Sequence, residues 1–340
     1  MGYLVGTDEA GYAPNLGPLV ISATVWRVPG DPCGVDLYKL LRKVVARTPP
    51  ARPRQVREAV NGQAAPARRP RARPIKARLA DSKVLYRPPG GLAALELGLL
   101  SCLALLGQRP ATWRELWQLL DGQSAAALGS LPWHLDYDCP LPLEADLSQI
   151  DAVAQALGGG VEAAGVRLLA IRSRAVFPDR FNRLTDEHGN KANALSWLTL
   201  DLLSGVLSML DGEPVAVICD KHGGRNDYRA LLQNQVADCV VEVYAEGRNQ
   251  SVYRWGADQQ RTEVLFCAKG ERFLPAALAS MASKYLRELS MRAFNHYWCR
   301  HVPQLRPTAG YPTDAGRFMA DIAAARASLG IEDQILWRNR

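Results

Sequence analysis

Histidine is scarce and never clustered in this chain: His134, His188, His222, His296 and His301 are dispersed, with no readable Ser-His-Asp or Cys-His grouping. Covalent hydrolysis built on a histidine base therefore finds no support in the sequence. The seven cysteines contain no C-x-x-C pair, and an odd, scattered set argues against a disulfide framework. They read as small core residues in a reducing compartment. Long apolar runs are also missing. The longest stretch, 92–107, carries Glu96 and is short for a bilayer span, so it reads as a buried helix. The opening run Tyr3-Leu4-Val5 lacks a basic n-region and is soon broken by Asp8 and Glu9, which is not a signal-peptide pattern. A soluble, cytoplasmic protein without membrane attachment is expected. Acids, finally, are almost absent from one segment: between Arg47 and Arg78, ten Lys or Arg face the single acid Glu58, a local +9 against +7 for the whole chain. The rest is nearly neutral, so the basicity belongs to a tethered arm. Its Pro- and Arg-rich composition, with neither period nor apolar face, predicts a mobile segment able to add non-specific affinity for nucleic acid.

What is present is material for a core: 48% apolar residues in 340 positions, enough for one large α/β domain or two smaller ones. The most informative stretch is Gly6-Thr7-Asp8-Glu9-Ala10-Gly11, directly after the apolar run. It places two adjacent carboxylates at the end of an expected first strand, between glycines that permit a sharp turn. Neighbouring side chains on a strand point to opposite faces, so Asp8 and Glu9 could share a ligand only where the strand stops. Two acids without a basic neighbour suit a hard, oxygen-liking cation such as Mg²⁺ or Mn²⁺. Taken alone, the pair reads more readily as a solvated turn, and only other residues change that.

Residues 3–28 read as a hairpin, and a short helix is expected near 37–45. Helical patterns cover 91–106, 112–120 and 144–157, the last ended by Gly158-Gly159-Gly160, while 122–142 looks irregular. A strand at 166–172 and a long helix over 191–210 lead to Pro214–Asp220, a continuous apolar strand of the kind buried on both faces. A helix at 227–235, β-like runs at 239–244 and 263–267, and helices over 274–298 and 313–328 complete the chain. Strands followed by alternating strand and helix imply a mixed sheet with helices on both sides.

Asp220 ends its strand and precedes the glycine-rich Lys221-His222-Gly223-Gly224-Arg225. An acid at the carboxyl edge of a sheet strand sits where ligands bind, although a turn or N-cap role explains it as well. Lys269-Gly270-Glu271 follows the run ending at Cys267 and opens the helix that carries Ser280 and Lys284 four residues apart on one face. Glu271 alone reads as a first-turn acid favoured by the helix dipole.

The order of these pieces resembles the ribonuclease HII family nearly end to end. That family's Asp-Glu-Ala-Gly and following Gly-Pro match Asp8-Glu9-Ala10-Gly11 and Gly17-Pro18, and its Asp-Ser-Lys matches Asp81-Ser82-Lys83. Its Pro and Asn before a long helix are similar to Pro178 and Asn182, and its third acid falls on Asp220. Its Lys-Gly-Asp with Ala-Ser-x-x-Ala-Lys looks like Lys269-Gly270-Glu271 with Ala279-Ser280-Met281-Ala282-Ser283-Lys284, and its Gly-Tyr-x-Thr like Gly310-Tyr311-Pro312-Thr313.

The resemblance implies a ribonuclease H-like α/β fold: a mixed β-sheet flanked by helices, with a C-terminal helical region. A catalytic domain over 1–300 would carry the insertion at about 47–78 and an extra region at about 110–145, and 301–340 would form a C-terminal helical extension. It implies a metal-dependent endonuclease, acting as a monomer, that cuts the RNA strand of RNA/DNA hybrids or ribonucleotides embedded in DNA. Asp8, Glu9, Asp220 and Glu271 would hold two divalent ions, Mg²⁺ or Mn²⁺. Gly11, Tyr12 and Ala13 would meet the ribonucleotide, Lys83, Lys269, Ser280 and Lys284 the phosphates, and Tyr311 would stack on a sugar or base. His222, two residues beyond Asp220, is a possible proton-transfer group. The chain departs from the family at Tyr12 and Ala13, where Arg and Gly are usual, and at Glu271, where Asp is usual. Two alternatives therefore stay open: a nucleic-acid-binding protein of the same fold with impaired catalysis, and a nuclease for another nucleic-acid structure.

Overall fold

The computed structural model describes residues 1–47, 74–86 and 91–339. The basic arm expected at about 47–78 lies outside the described residues except at its two ends, where β3 (Val45–Ala46) pairs in parallel with β4 (Ala77–Arg78).

The architecture is a seven-stranded mixed sheet with helices on both faces and further helices at the C-terminal end, as expected. Its strands are β1 (Gly2–Ala10), β2 (Leu19–Val28), β5 (Arg167–Val176), β6 (Val215–Asp220), β7 (Glu242–Ala245), β8 (Gln250–Trp255) and β9 (Thr262–Cys267). They lie in the order β5-β2-β1-β6-β9-β8-β7. The hairpin β1–β2 is antiparallel, whereas β6 runs parallel to β1 on one side and to β9 on the other. The carboxyl ends of β1, β6 and β9 therefore meet at one edge of the sheet.

Side-chain alternation decides what each face buries. In β1, Tyr3 and Val5 join a cluster under the helix Lys191–Leu207, while Leu4 joins the cluster under the 28-residue helix Leu274–His301. In β6, Val215, Val217 and Cys219 take the first side, and Ala216 and Ile218 the second. Continuing that alternation puts Asp8 and Asp220 on the face of the long helix. Gly6 allows that helix to dock: a Cβ there would lie 2.2 Å from the Ala276 backbone nitrogen. The Thr24 hydroxyl adds a 2.8 Å hydrogen bond to the Pro275 carbonyl at the same place.

Asp8 and Glu9 close the first strand as expected, its pairing with β2 continuing through Asp8↔Ser22 and Glu9↔Ile21 to Ala10↔Val20. Only its ladder with β6 ends early, at Thr7↔Cys219, and the turn comes at Gly11 with φ +89°. The three glycines do not end their helix, which runs over Leu147–Ala163. Burial of Leu157 and Val161 carries it through, and Gly160 is where Val44 packs, since a Cβ would come within 2.2 Å of that side chain. The stretch 122–142 holds helices Gly122–Leu128 and Pro132–Leu135, too short to show a period and held by burial of Leu128, Leu131 and Trp133. Strand β8 and the helix Pro178–Glu187 were not expected from the sequence pattern.

Glu96 explains its presence in an apolar helix. It is fully buried in Ala93–Leu105 and accepts the backbone N–H groups of Leu143, Glu144 and Ala145 at 2.6–2.8 Å and the Tyr285 hydroxyl at 2.6 Å. Four donors compensate one buried carboxylate and tie the extra helical region to the long helix.

Candidate functional site

The parallel ladder brings the expected acids to one place from three chain-distant segments. Asp8 and Glu9 end β1, Asp220 ends β6, and Glu271 follows β9, whose Cys267 is the register partner of Asp220. The Lys269-Gly270-Glu271 turn is built for this approach. Lys269 takes a left-handed conformation (φ 63°), a costly choice for a residue with a Cβ. Gly270 then packs on the Asp220 backbone, where a Cβ would lie 3.1 Å from the Asp220 nitrogen, and its N–H donates to Asp220 Oδ1 at 3.1 Å. Glu271 is thereby presented beside Asp220.

Electrostatics confirm that these carboxylates feel one another. Burial, then the charges of Glu9 and Asp220, push Asp8 well above the usual carboxylate range, although a hydrogen bond from Ser280 opposes the shift. Burial and Asp220 raise Glu9 to about 7. Burial, Asp220 and Asp81 raise Glu271. A cation between the groups would remove the repulsion that all three shifts report. Lys83 already faces them: burial works against its charge, but Asp81, Asp8, Glu271 and Asp220 hold its ammonium above the ordinary value. The carboxylate oxygens suit a hard divalent ion. Their present spacing does not, since no three His, Cys, Asp or Glu among the described residues lie close enough to hold one ion.

Other expected residues surround a cavity of about 470 Å³ lined by Glu9, Gly11, Tyr12, Ala13, Lys83, Lys284 and Tyr311 among others. Tyr311 is 48% exposed, its ring free to receive a flat partner. Asp81 caps the short helix Ser82–Leu85 by accepting the Lys83 N–H at 3.0 Å. Ser280 is buried with its hydroxyl oxygen 3.0 Å from that of Ser82, and it does not line the cavity. Lys284 pairs with Glu288 and lies 4.7 Å from the Tyr86 ring centre, so its charge is balanced where it stands. Lys269 is exposed at the turn. His222 is not at the site: it is buried against Tyr228 and Phe266, with Nδ1 3.1 Å from the Ser196 hydroxyl, and burial drives its pKa down to about 3.

Sequence reading missed three contributors. Tyr86 lines the same cavity and donates to Glu288 at 3.0 Å. Arg287, which also lines the cavity, and Arg338, both buried, hold the Gly11–Pro18 loop through its carbonyls. Arg287 lies one turn beyond Lys284 on the same helix, a spacing that could have drawn notice. Arg338 had no signal beyond being basic.

No family model matches the chain, and no curated protein matches it. Solved structures do. The ribonuclease H2 of Pyrococcus horikoshii OT3 is similar with a TM-score of 0.42 at 13% identity, over 98% of this chain and 92% of that one. RNase HII of Archaeoglobus fulgidus, solved as a complex with PCNA, gives 0.41 at 11%, over 99% and 94%. Bst-RNase HIII, solved with Mn²⁺, gives 0.38 at 13%, over 99% and 66%. The sequence motifs resemble the first two of these by family.

Proposed function

We propose that the protein is a metal-dependent endonuclease of the ribonuclease H type 2 kind, a cytoplasmic monomer that cuts the RNA strand of RNA/DNA hybrids or ribonucleotides embedded in duplex DNA. Residues 1–300 would form its catalytic domain and 301–340 a helical extension. The observation that supports this reading best is the delivery of Asp8, Glu9, Asp220 and Glu271 to one sheet edge by three parallel strands. Those four carboxylates would hold two divalent ions, Mg²⁺ or Mn²⁺. When bound, such ions supply an activated water and stabilise charge at phosphorus and on the leaving oxygen.

The chain's own residues supply the rest. Gly270 fixes the Asp220 carboxylate through its N–H, and Ser280 steadies Asp8. Lys83 lends positive charge beside four acids that would otherwise repel an anionic strand. Tyr311 and Tyr86 offer faces for a base or sugar, and the Gly11–Ala13 backbone lines the same cavity. Positioning and electrostatics of this sort are most of what phosphoryl chemistry needs.

One observation favours a second reading, a nucleic-acid-binding protein of this fold without hydrolysis: the acids do not yet close on a common point. The test separates the two. Purified protein is incubated with Mg²⁺ or Mn²⁺ and a duplex carrying one ribonucleotide, a long hybrid, or DNA alone. Cutting of either RNA-containing duplex that disappears in Asp8→Asn and Asp220→Asn supports the enzyme. Salt-sensitive binding with no cutting in either metal supports the binding protein, and cutting of DNA alone supports a nuclease for another structure.

A further inference from the structure

The Gly11–Pro18 loop is held by segments that lie more than 260 residues away in sequence. Arg287 donates to the carbonyls of Pro18 at 2.6 Å, Leu16 at 3.1 Å and Ala309 at 3.0 Å. The Gly310 carbonyl accepts the N–H groups of Asn15 and Leu16 at 2.8 and 3.2 Å. Arg338, 1% exposed, donates from Nη2 to the Gly11 carbonyl at 2.6 Å and to the Pro14 carbonyl. Its own backbone joins in: its N–H donates to Asn15 at 2.8 Å, its carbonyl accepts the Asn15 amide at 3.1 Å, and Leu16 bridges to Trp337. On the far side Asn182 clamps the same strap, donating to the Trp337 carbonyl at 2.8 Å and accepting the Asn339 N–H at 2.7 Å.

Among the described residues neither arginine has a carboxylate partner. Burial pushes Arg338 down to about 9 and Arg287 to about 10, so both remain charged at neutral pH. Arg338 meets carbonyls through Nη2 alone, its Nε and Nη1 having no hydrogen-bond partner among the described residues and its guanidinium lying 4.8 Å from the Phe181 ring centre, so it is expensive to bury, and an apolar side chain would fill the space at lower cost. The arginines do something packing would not: they set the direction of each carbonyl. In a planar trans peptide C=O and N–H point opposite ways, so fixing the Gly11 carbonyl toward Arg338 turns the Tyr12 N–H away from it. Gly11, Tyr12 and Ala13 line the cavity, and neither the Tyr12 nor the Ala13 N–H has an acceptor among the described residues.

We propose that Arg338, with its strap Leu336–Asn339, is a positioning residue that sets the Gly11–Pro18 backbone to receive the phosphodiester strand. The proposal rests on the nuclease reading. Its test is steady-state cleavage of a single-ribonucleotide duplex by the full chain in Mn²⁺, with duplex affinity by fluorescence anisotropy and amide hydrogen exchange measured in parallel. Arg338→Met should raise KM by about tenfold with a smaller change in kcat, and Arg338→Lys should recover part of that loss. Asn182→Ala, which frees the strap without touching the loop, should shift KM the same way by about threefold. In these variants exchange should quicken at 11–17 and stay unchanged in β1 and β6. Unchanged KM and unchanged exchange at 11–17, or exchange that quickens throughout the sheet, would overturn the proposal. If Arg338→Met does not fold, Asn182→Ala decides. A wild-type protein that cuts none of the duplexes defeats the nuclease reading alone, and affinity with loop exchange then decides the positioning role.

Discussion

Two sets of like charges lie at the same end of the sheet and are held in opposite ways. The carboxylates of Asp8, Glu9 and Glu271 are partly exposed, crowd one another and bind protons more tightly than free acids do. The guanidiniums of Arg287 and Arg338 are buried, bind protons less tightly than free arginine and are spent on backbone carbonyls. The acids repel one another and are left without compensating donors of the kind that hold Glu96. The arginines are fixed, and what they fix is the loop beside the acids. Charges that crowd one another and charges that hold a backbone in place thus sit side by side.

The sharpest way to break this contrast is to remove one acid. Asp220→Asn should cost at least ~10²–10³-fold in cleavage, read by kcat/KM, while circular dichroism and Tm stay near wild type because a repulsion has also been removed. Mn²⁺ should raise Tm in the wild type and much less in this variant. Next in size are the glycines that let distant segments approach. Gly6→Ala forces a Cβ to 2.2 Å from the Ala276 nitrogen, so urea unfolding should register a loss of ~3 kcal/mol or more. Gly159→Ala meets nothing within 4 Å in its helix and should gain ~0.5–1 kcal/mol.

A third prediction uses pH. Burial lowers both His134 and His222 to about 3, so they are neutral when folded and protonated below about 6.5 when unfolded. The stability they contribute is complete above 6.5 and falls as pH drops toward 3. Urea midpoints from pH 7 to 4 should decline, and less steeply in His134→Gln. Smallest is Tyr86→Phe, which keeps the ring beneath Lys284 but loses the hydroxyl bond to Glu288. Duplex affinity should change by ~1 kcal/mol or less, and Tyr86→Ala should cost more.

Much of this was legible in the chain. The buried strand ending at Asp220 and the hairpin carrying Asp8 and Glu9 announce themselves through composition and period, and a parallel register then brings their ends together. What could not be read has a common physical character. Gly158–Gly160 looked like a helix end because propensity is local, whereas the packing of Val44 is not. Gly6 looked like a turn because the approach of Pro275 and Ala276 is invisible at position 6. Arg338 was opaque for the same reason: its partners are 324 and 327 positions away.

The helix Leu274–His301 runs about 42 Å as one unbroken rod. Its first turns brace Glu271 and Gly6, its second and third turns carry Ser280, Ser283 and Lys284, and Arg287 lies at its middle. An axial slip of this rod would move every one of these parts by the same amount. The acid cluster and the Gly11–Pro18 loop are thus geared to a single shaft, and an engineer seeking to retune one of them has to work from the loops, leaving the shaft alone.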